Sequence, residues 1–457
     1  MRTLKTFLIF TIIGITSTFA QGQTYGLKDV YPDFKFGNVL NSSTVTQQKM
    51  KDLVLREFNS ITPENELKPN ATMTQTGSTD TDIKVNLSSA SAILKFCQDN
   101  NIPVRGHTLV WHSQTPPWFF RANMQSKPHT WDDKLTASDV LADAETMNKR
   151  MESYIKNIFA LIKKNYPNLN LYAYDVVNEA FENWGGNLRP GGIDQAAGQS
   201  PWMKIYGSNQ YIINAFAYAR QYAPENCKLF YNDYNEYGSD KCNSIVSLAN
   251  KLKGLGTIDG IGMQSHLDLP ETTHTVSAFG AALKKFAATG LEVQVTEIDV
   301  TIPNIASGQV PTVSEYEAQG RKYRDIMKEV LKYKDSVTAF VVWGIQDNQS
   351  WRSNRFPVLF DKNGNKKPAY DELFALGTLP SSNPELQFDN SLKAWANGNQ
   401  LQVTGVDVGK MWRVYTTTGV LVHQGISLGR DVVHNVSTIQ SGAYIVWTEN
   451  GTTKVIF

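Results

Sequence analysis

Cysteine is scarce in this 457-residue chain, which holds only Cys97, Cys227 and Cys242. Three is an odd count, so complete pairing within the chain is excluded. Cys227 and Cys242 fall where one would begin a strand and the other the next helix. A bond between them and unpaired buried thiols are both open readings. No Cys/His pair has the close spacing of a zinc site, and the seven histidines include no HExxH. The common zinc-hydrolase patterns are therefore missing, and no metal or cofactor is expected. An excess of charge is missing too: Lys plus Arg total 44 against 43 Asp plus Glu. Without a basic surplus an extended nucleic-acid footprint is not expected, whereas a neutral polymer suits the balance. Beyond the N-terminus no apolar run approaches the roughly 20 residues of a membrane-spanning helix.

What is present begins with an export signal. Arg2 and Lys5 precede an apolar run from Phe7 to Ile15, and small residues follow at Thr18 and Ala20. That order of charge, apolar stretch and cleavage site predicts a secretory signal over 1–20, removed after Ala20. The mature protein is then expected outside the cell, with no membrane span. The whole chain is 41% hydrophobic and 19% charged, an ordinary globular composition. Its length holds one large domain and a small one.

From about Phe36 to Leu376 short apolar runs alternate with amphipathic helical patterns. Candidate strands lie near Phe36–Leu40, Ser60–Thr62, Val104–Val110, Leu171–Val177, Lys228–Asn232, Gly260–Gln264, Glu292–Thr296 and Ala339–Trp343. Helical spacing follows each, as in Met50, Leu53, Val54 and Phe58, or in Tyr323, Ile326, Met327 and Val330. Eight βα units in series predict an α/β fold, a (β/α)8 barrel over 25–377. An open doubly wound sheet is the alternative, but no GxGxxG follows the first strand. A Pro/Ser/Asn-rich linker is expected at 378–385. Over 386–457 helical periodicity gives way to alternating runs at Trp412–Thr416, Val420–His423 and Tyr444–Thr448, which predict a small β-sandwich.

In a parallel barrel, residues at the C-terminal strand ends meet at one mouth. The fourth strand ends in Asn178-Glu179 and the seventh in Thr296-Glu297-Ile298-Asp299. Strands four and seven face each other, so Glu179 and Glu297 can converge as the paired carboxylates that glycosidic cleavage requires. One must carry a proton for the leaving oxygen, and the other must be ionised. The bland reading makes each a solvated cap. Against it stands the rest of the rim: Glu64, Asn65 and Lys68, then His107, Trp111 and His112, then Asn232, Tyr234 and Asn235, then Gln264 and His266, then Trp343 and Trp351. Amides, imidazoles and an ammonium bond sugar hydroxyls, and indoles stack on pyranose faces.

The segments Thr62–Lys68, Arg105–His112, Asp175–Glu179, Gln264–His266, Thr296–Asp299 and Val342–Trp343 together strongly resemble glycoside hydrolase family 10, the barrel xylanases, across nearly all of 25–377. The resemblance implies a retaining endo-1,4-beta-xylanase acting on xylan or xylo-oligosaccharide. It implies Glu179 as acid/base and Glu297 as nucleophile. Asn178 would bond the 2-hydroxyl of the reacting sugar, and His266, supported by Asp299, would hold Glu297 charged and oriented. Glu64, Asn65, Lys68, His107, Trp111 and Gln264 would line the glycone side, with Tyr234 also in the cleft. Trp343 and Trp351 would wall it against the hydroxymethyl group of glucose. Pro69 departs from the tryptophan that many members carry there, and the loop from Phe181 to Tyr206 is expected to shape the leaving-group side. A glucan-specific cleft and a non-catalytic polysaccharide-binding barrel are the competing functions.

At the C-terminus, Trp412–Val422, Ser441–Val446 and Lys454–Phe457 resemble the sorting domain of type IX secretion cargo. This implies the type IX machinery as a partner and export through periplasm and outer membrane to the medium or cell surface. A carbohydrate-binding module with Trp395, Trp412 and Trp447 as its platform is the alternative. A monomer is expected.

Overall fold

Eight strands run parallel in the large unit: β1 (Lys35–Leu40), β2 (Ser60–Pro63), β3 (Val104–Trp111), β4 (Leu171–Asn178), β5 (Lys228–Asp233), β6 (Gly260–Met263), β7 (Glu292–Thr301) and β8 (Val337–Val342). Each pairs with the next, and β8 pairs back onto β1 with Ala339 opposite Lys35, which closes the (β/α)8 barrel. The strands are buried almost continuously because helices cover their outer face, as parallel sheets require. This computed structural model describes residues 25–270, 274–378 and, apart from short breaks, 393–457. The expected signal (1–20) and most of the expected linker (379–385) lie outside the described residues. Among those described, no helix is long and apolar enough to cross a membrane.

Crossover helices follow the apolar spacing. In Gln48–Glu57 the buried face includes Met50, Leu53 and Val54; in Val313–Leu331 it includes Tyr323, Ile326, Met327 and Val330. The latter starts at Thr312, whose hydroxyl accepts from Glu315 N while Glu315 bonds back to Thr312 N, satisfying two end groups at once.

Most strand ends fall within a residue of the sequence expectation, and two of the differences bear on the site. β6 stops at Met263, because Ser265 adopts a left-handed φ of +59° and turns the chain. β7 runs five residues beyond Thr296, because its last part, Asp299–Thr301, pairs in parallel with a short strand, His266–Asp268. That added ladder sets His266 beside Asp299 at the mouth.

Inside the barrel small residues make room for functional ones. A Cβ on Gly262 would lie 2.3 Å from Asn232 Oδ1, so glycine there admits the Asn232 side chain. Lower down, the fully buried Arg105 forks onto Asp175 and donates to Gln294 Oε1 at 2.8 Å. Cys97, Cys227 and Cys242 are unpaired and buried, so the thiol alternative is the one observed.

The chain divides into compact units at Leu379/Pro380. The smaller one carries a three-stranded antiparallel sheet (Lys393–Asn397, Gln400–Thr404, Asp431–Asn435) and a four-stranded one (Met411–Thr416, Leu421–Ile426, Ala443–Thr448, Gly451–Ile456). Leu401 and Val403 from the first sheet cluster with Trp412, Val414, Val446 and Val455 from the second, as in a sandwich. Trp412 is fully buried in this core. A stacking platform of Trp395, Trp412 and Trp447 is therefore not formed.

Candidate active site

Glu179 immediately follows β4 in a left-handed conformation, φ +54°, which non-glycine residues rarely adopt. Its N–H donates to Asn232 O at 2.9 Å, and its C=O accepts from Arg189 Nε at 2.7 Å. The backbone is thus clamped from both sides, and the carboxylate faces the mouth. Oε2 accepts from Trp111 Nε1 at 3.0 Å, while Oε1 accepts from Gln264 Nε2 at 3.1 Å and Asn178 Nδ2 at 3.2 Å. Burial raises the pKa above the usual glutamate value, and the Asp233 charge adds to that. The Gln264 bond and the Arg189 guanidinium oppose the rise without cancelling it.

Glu297 sits within β7 and is 4% exposed. Oε1 accepts from Asn232 Nδ2 at 2.7 Å, and Oε2 lies 3.3 Å from His266 Nε2. His107 Nδ1 is 3.9 Å from Oε1. Burial alone would raise this pKa, yet attraction to His107, the His266 contact and the Asn232 bond bring it down to about 2. His266 shows the reciprocal effect. Burial disfavours its charge, but Asp299 at 3.0 Å from Nδ1, together with Glu297, lifts it to about 10. Asp299 is itself held by Trp351 Nε1 at 3.1 Å and Arg352 Nη1 at 2.8 Å.

Buried amides join the two carboxylates. Gln264 Nε2 bridges Glu179 Oε1 and Asn178 Oδ1, the latter at 3.1 Å; Asn178 Oδ1 also accepts from Asn232 Nδ2 at 3.0 Å, and Asn232 reaches Glu297. Every link is satisfied, which makes such a network rigid rather than costly.

A cleft of about 740 Å³ opens over these groups. Of the residues expected from sequence, Glu64, Asn65, Lys68, His107, Trp111, Glu179, Tyr234, Asn235, Gln264, His266, Glu297, Trp343 and Trp351 line it. Asn178 and Asp299 lie behind the lining residues, 2% and 0% exposed. Lys68 Nζ donates to Asn65 Oδ1 at 2.9 Å and sits 5.2 Å from the Trp111 ring centroid. Glu64 accepts from Asn41 Nδ2 at 2.9 Å. Trp343 stands edge-on to His107 and His266, while Trp351 packs edge-on against His266 with its indole largely exposed. His112 departs from the rim reading. It lies outside the cleft lining, and burial with the Arg189 and Lys241 charges pushes its pKa down to about 3.

Gln114, Trp184, Asp268, His274 and Arg352 also line the cleft but were not read from sequence. Gln114 was findable, three residues past Trp111 on the same loop. Trp184, stacked on His274 at 5.9 Å, lies within the Phe181–Tyr206 loop singled out for the leaving-group side. Pro69 forms the first turn of the helix Pro69–Thr72, where its missing N–H costs nothing.

Among the described residues, the donor atoms of His107, Asp175 and Glu297 lie within 4.8 Å of one another. Arg105 already forks onto Asp175 and Asn232 donates to Glu297, so a cation there would meet a guanidinium and an amide N–H. The set fits a proton network better than a metal.

A family model, glycosyl hydrolase family 10, matches residues 26–376. Endo-1,4-beta-xylanase Y of Acetivibrio thermocellus is 45% identical over 383 residues, covering 82% of this chain and 33% of that protein. Endo-1,4-beta-xylanase A of Thermotoga maritima is 35% identical over 78% of this chain and 31% of its own length. The chain thus spans about a third of the length of these curated relatives. Among solved structures, the CBM22-1–GH10 modules of Clostridium thermocellum endo-1,4-beta-D-xylanase 10B, complexed with xylohexaose, align with a TM-score of 0.70 at 43% identity. That alignment covers 78% of this chain and 68% of the other. The intracellular xylanase of Thermoanaerobacterium saccharolyticum aligns with a TM-score of 0.64 at 31% identity, over 77% of this chain and 99% of that one.

Proposed function

Because the chain belongs to glycosyl hydrolase family 10, we propose that it is an endo-1,4-beta-xylanase cleaving internal bonds of xylan with retention of configuration. The observation that carries this reading is the opposed electrostatics of two amide-linked carboxylates, one biased towards its proton and one held ionised. Names of relatives at up to 45% identity support xylan as the polymer.

Glu179 gives its proton to the glycosidic oxygen as that C–O bond breaks, and Glu297 attacks the anomeric carbon. A glycosyl ester on Glu297 results, and the leaving chain departs neutral. Glu179, now ionised, takes a proton from water, whose oxygen attacks the anomeric carbon from the face the leaving chain vacated, opposite Glu297, and displaces it. Both carboxyls end as they began. Asn178, fixed by Asn232 and Gln264, is suited to bond the 2-hydroxyl of the reacting sugar. His266, pinned by Asp299, keeps Glu297 charged and oriented. Glu64, Asn65, Lys68, His107, Trp111 and Gln264 take the glycone, Tyr234 borders the cleft, and Trp343 with Trp351 crowds the hydroxymethyl position of glucose.

The site is complete within one chain, which supports action as a monomer. For the smaller unit we propose a type IX sorting function, with export through periplasm and outer membrane after loss of residues 1–20. The burial of Trp412 supports this over a binding platform.

The test is reducing-sugar release from xylan and from soluble cellulose by residues 21–457 and by the same chain ending at 378. Mixed short oligomers from xylan alone, with both chains, are expected. Release from cellulose with silence on xylan would keep the two-carboxylate chemistry and overturn the specificity.

A further inference from the structure

Beside the cleft lies a second cavity of about 660 Å³. Gln114 lines both, and Asn70 N donates to Gln114 O at 2.8 Å, so the two share a wall. One side is the loop after β3, which carries Trp131; the other is the segment 193–196 after β4. Trp131 is 92% exposed.

A single exposed tryptophan is by itself unremarkable on a protein surface. The loop that carries it is not ordinary. Arg121, 1% exposed, grips Asp133 with Nη1 at 2.8 Å and Nη2 at 2.7 Å, and Asp139 with Nε at 2.9 Å. Arg150, fully buried, donates to the carbonyls of Phe119 and Arg121 at 2.7 Å and closes the loop's base. From the neighbouring antiparallel hairpin, Met73–Thr79 with Asp82–Val85, Gln75 accepts from His129 N and donates to Lys127 O, both at 2.7 Å. Desolvating two guanidinium groups is expensive, and here they fix a loop that supplies no catalytic carboxylate. A loop backbone that is already ordered has less entropy to lose when a ligand stacks on the indole it carries.

The lining indicates the ligand's chemistry. Arg121 and Lys127 together balance Asp133 and Asp139, which leaves Lys134 and Asp194 with opposite signs. Apart from the His129 imidazole, the remaining polar groups, such as Thr130, Thr136 and Gln195, are uncharged donors and acceptors. An indole among hydroxyls and amides, with no net charge, suits a neutral sugar ring rather than a phosphate or an ammonium group.

We infer that this cavity is a further saccharide subsite, in which a neutral sugar ring of the polymer held in the cleft stacks on Trp131. The inference rests on the proposed xylanase function. The ring can come from the continuing backbone or from a pentose branch.

Trp131→Ala, Trp131→Phe and the parent should be compared on xylotriose, linear xylohexaose and arabinoxylan, with thermal melting as a folding control. Losing the indole is expected to raise KM about five- to tenfold on the larger substrates, with kcat and the xylotriose kinetics unchanged. Trp131→Phe should recover most of the affinity. A rise on both xylohexaose and arabinoxylan identifies the backbone, and a rise on arabinoxylan alone identifies a branch. Equal KM values for active parent and variant on all substrates, or an equal loss on xylotriose, would overturn the subsite alone. A parent inactive on all three would overturn the functional reading and the subsite with it.

Discussion

Glu179 and Glu297 are the same residue type, both at the mouth ends of parallel strands and both largely withdrawn from water, yet their proton affinities diverge. At the β4 rim the carboxylate receives its hydrogen bonds from uncharged groups, Trp111, Gln264 and Asn178, with the Asp233 charge behind it. At the β7 rim the neighbours are imidazoles, His107 and His266, with one amide. Burial disfavours the charged form at both sites. Only at Glu297 do the surroundings outweigh it. The difference lies in what each strand end faces, and it gives two glutamates opposite tasks.

The largest effect is expected from removing the carboxylates themselves. Glu297→Ala should lower turnover of xylan by about 10⁴-fold or more, whatever the leaving group. Glu179→Ala should cost roughly 10²–10⁴-fold on xylan but much less on aryl xylosides whose leaving group needs no proton. Equal losses on both substrates would erase the division between the two rims. Next comes His266→Asn, which removes a bond and a charge that hold Glu297 down. Glu297 should then rise from about 2, so the acid limb of kcat/KM moves to higher pH. The rate should fall about tenfold to a hundredfold, by analogy with other supporting partners.

Asp233→Asn probes the other rim. Its negative charge raises the Glu179 pKa, so its loss lowers that pKa and shifts the alkaline limb to lower pH. Because Lys241 Nζ lies 2.7 Å from Asp233 and both are fully buried, the change should also cost about 3–5 kcal/mol, read by denaturant unfolding. An unmoved alkaline limb in folded protein would remove Asp233 from the comparison. The smallest effect on xylan is expected from Trp351→Ala, a few-fold at most by kcat/KM, since the indole is 62% exposed. Its signature should be a relative gain on glucan.

Much of this was legible in the chain because a parallel barrel converts sequence position into direction. Short apolar runs marked the strands, and polar residues at their ends were read as aimed at the mouth; Glu179 and Gln264 were readable in that way. Groups that act across long sequence separations were not. Arg189 clamps Glu179 from a loop whose path depends on tertiary contacts. Arg352 meets Asp299 53 residues away, and nothing local to either predicts the pair. Ending β7 at Thr296 missed the ladder to His266–Asp268, because a three-residue strand leaves no periodicity to read. His112 looked like a rim residue by adjacency to Trp111, but alternation along the chain turned it into the protein.

The division of labour between the rims is tested most directly by trapping the reaction halfway. Incubation with a 2-deoxy-2-fluoro-xylobioside bearing a good leaving group, followed by peptide mass mapping, should find the sugar esterified to Glu297, and the released enzyme should yield product of retained configuration. The label on Glu179, or product of inverted configuration, would contradict the assignment.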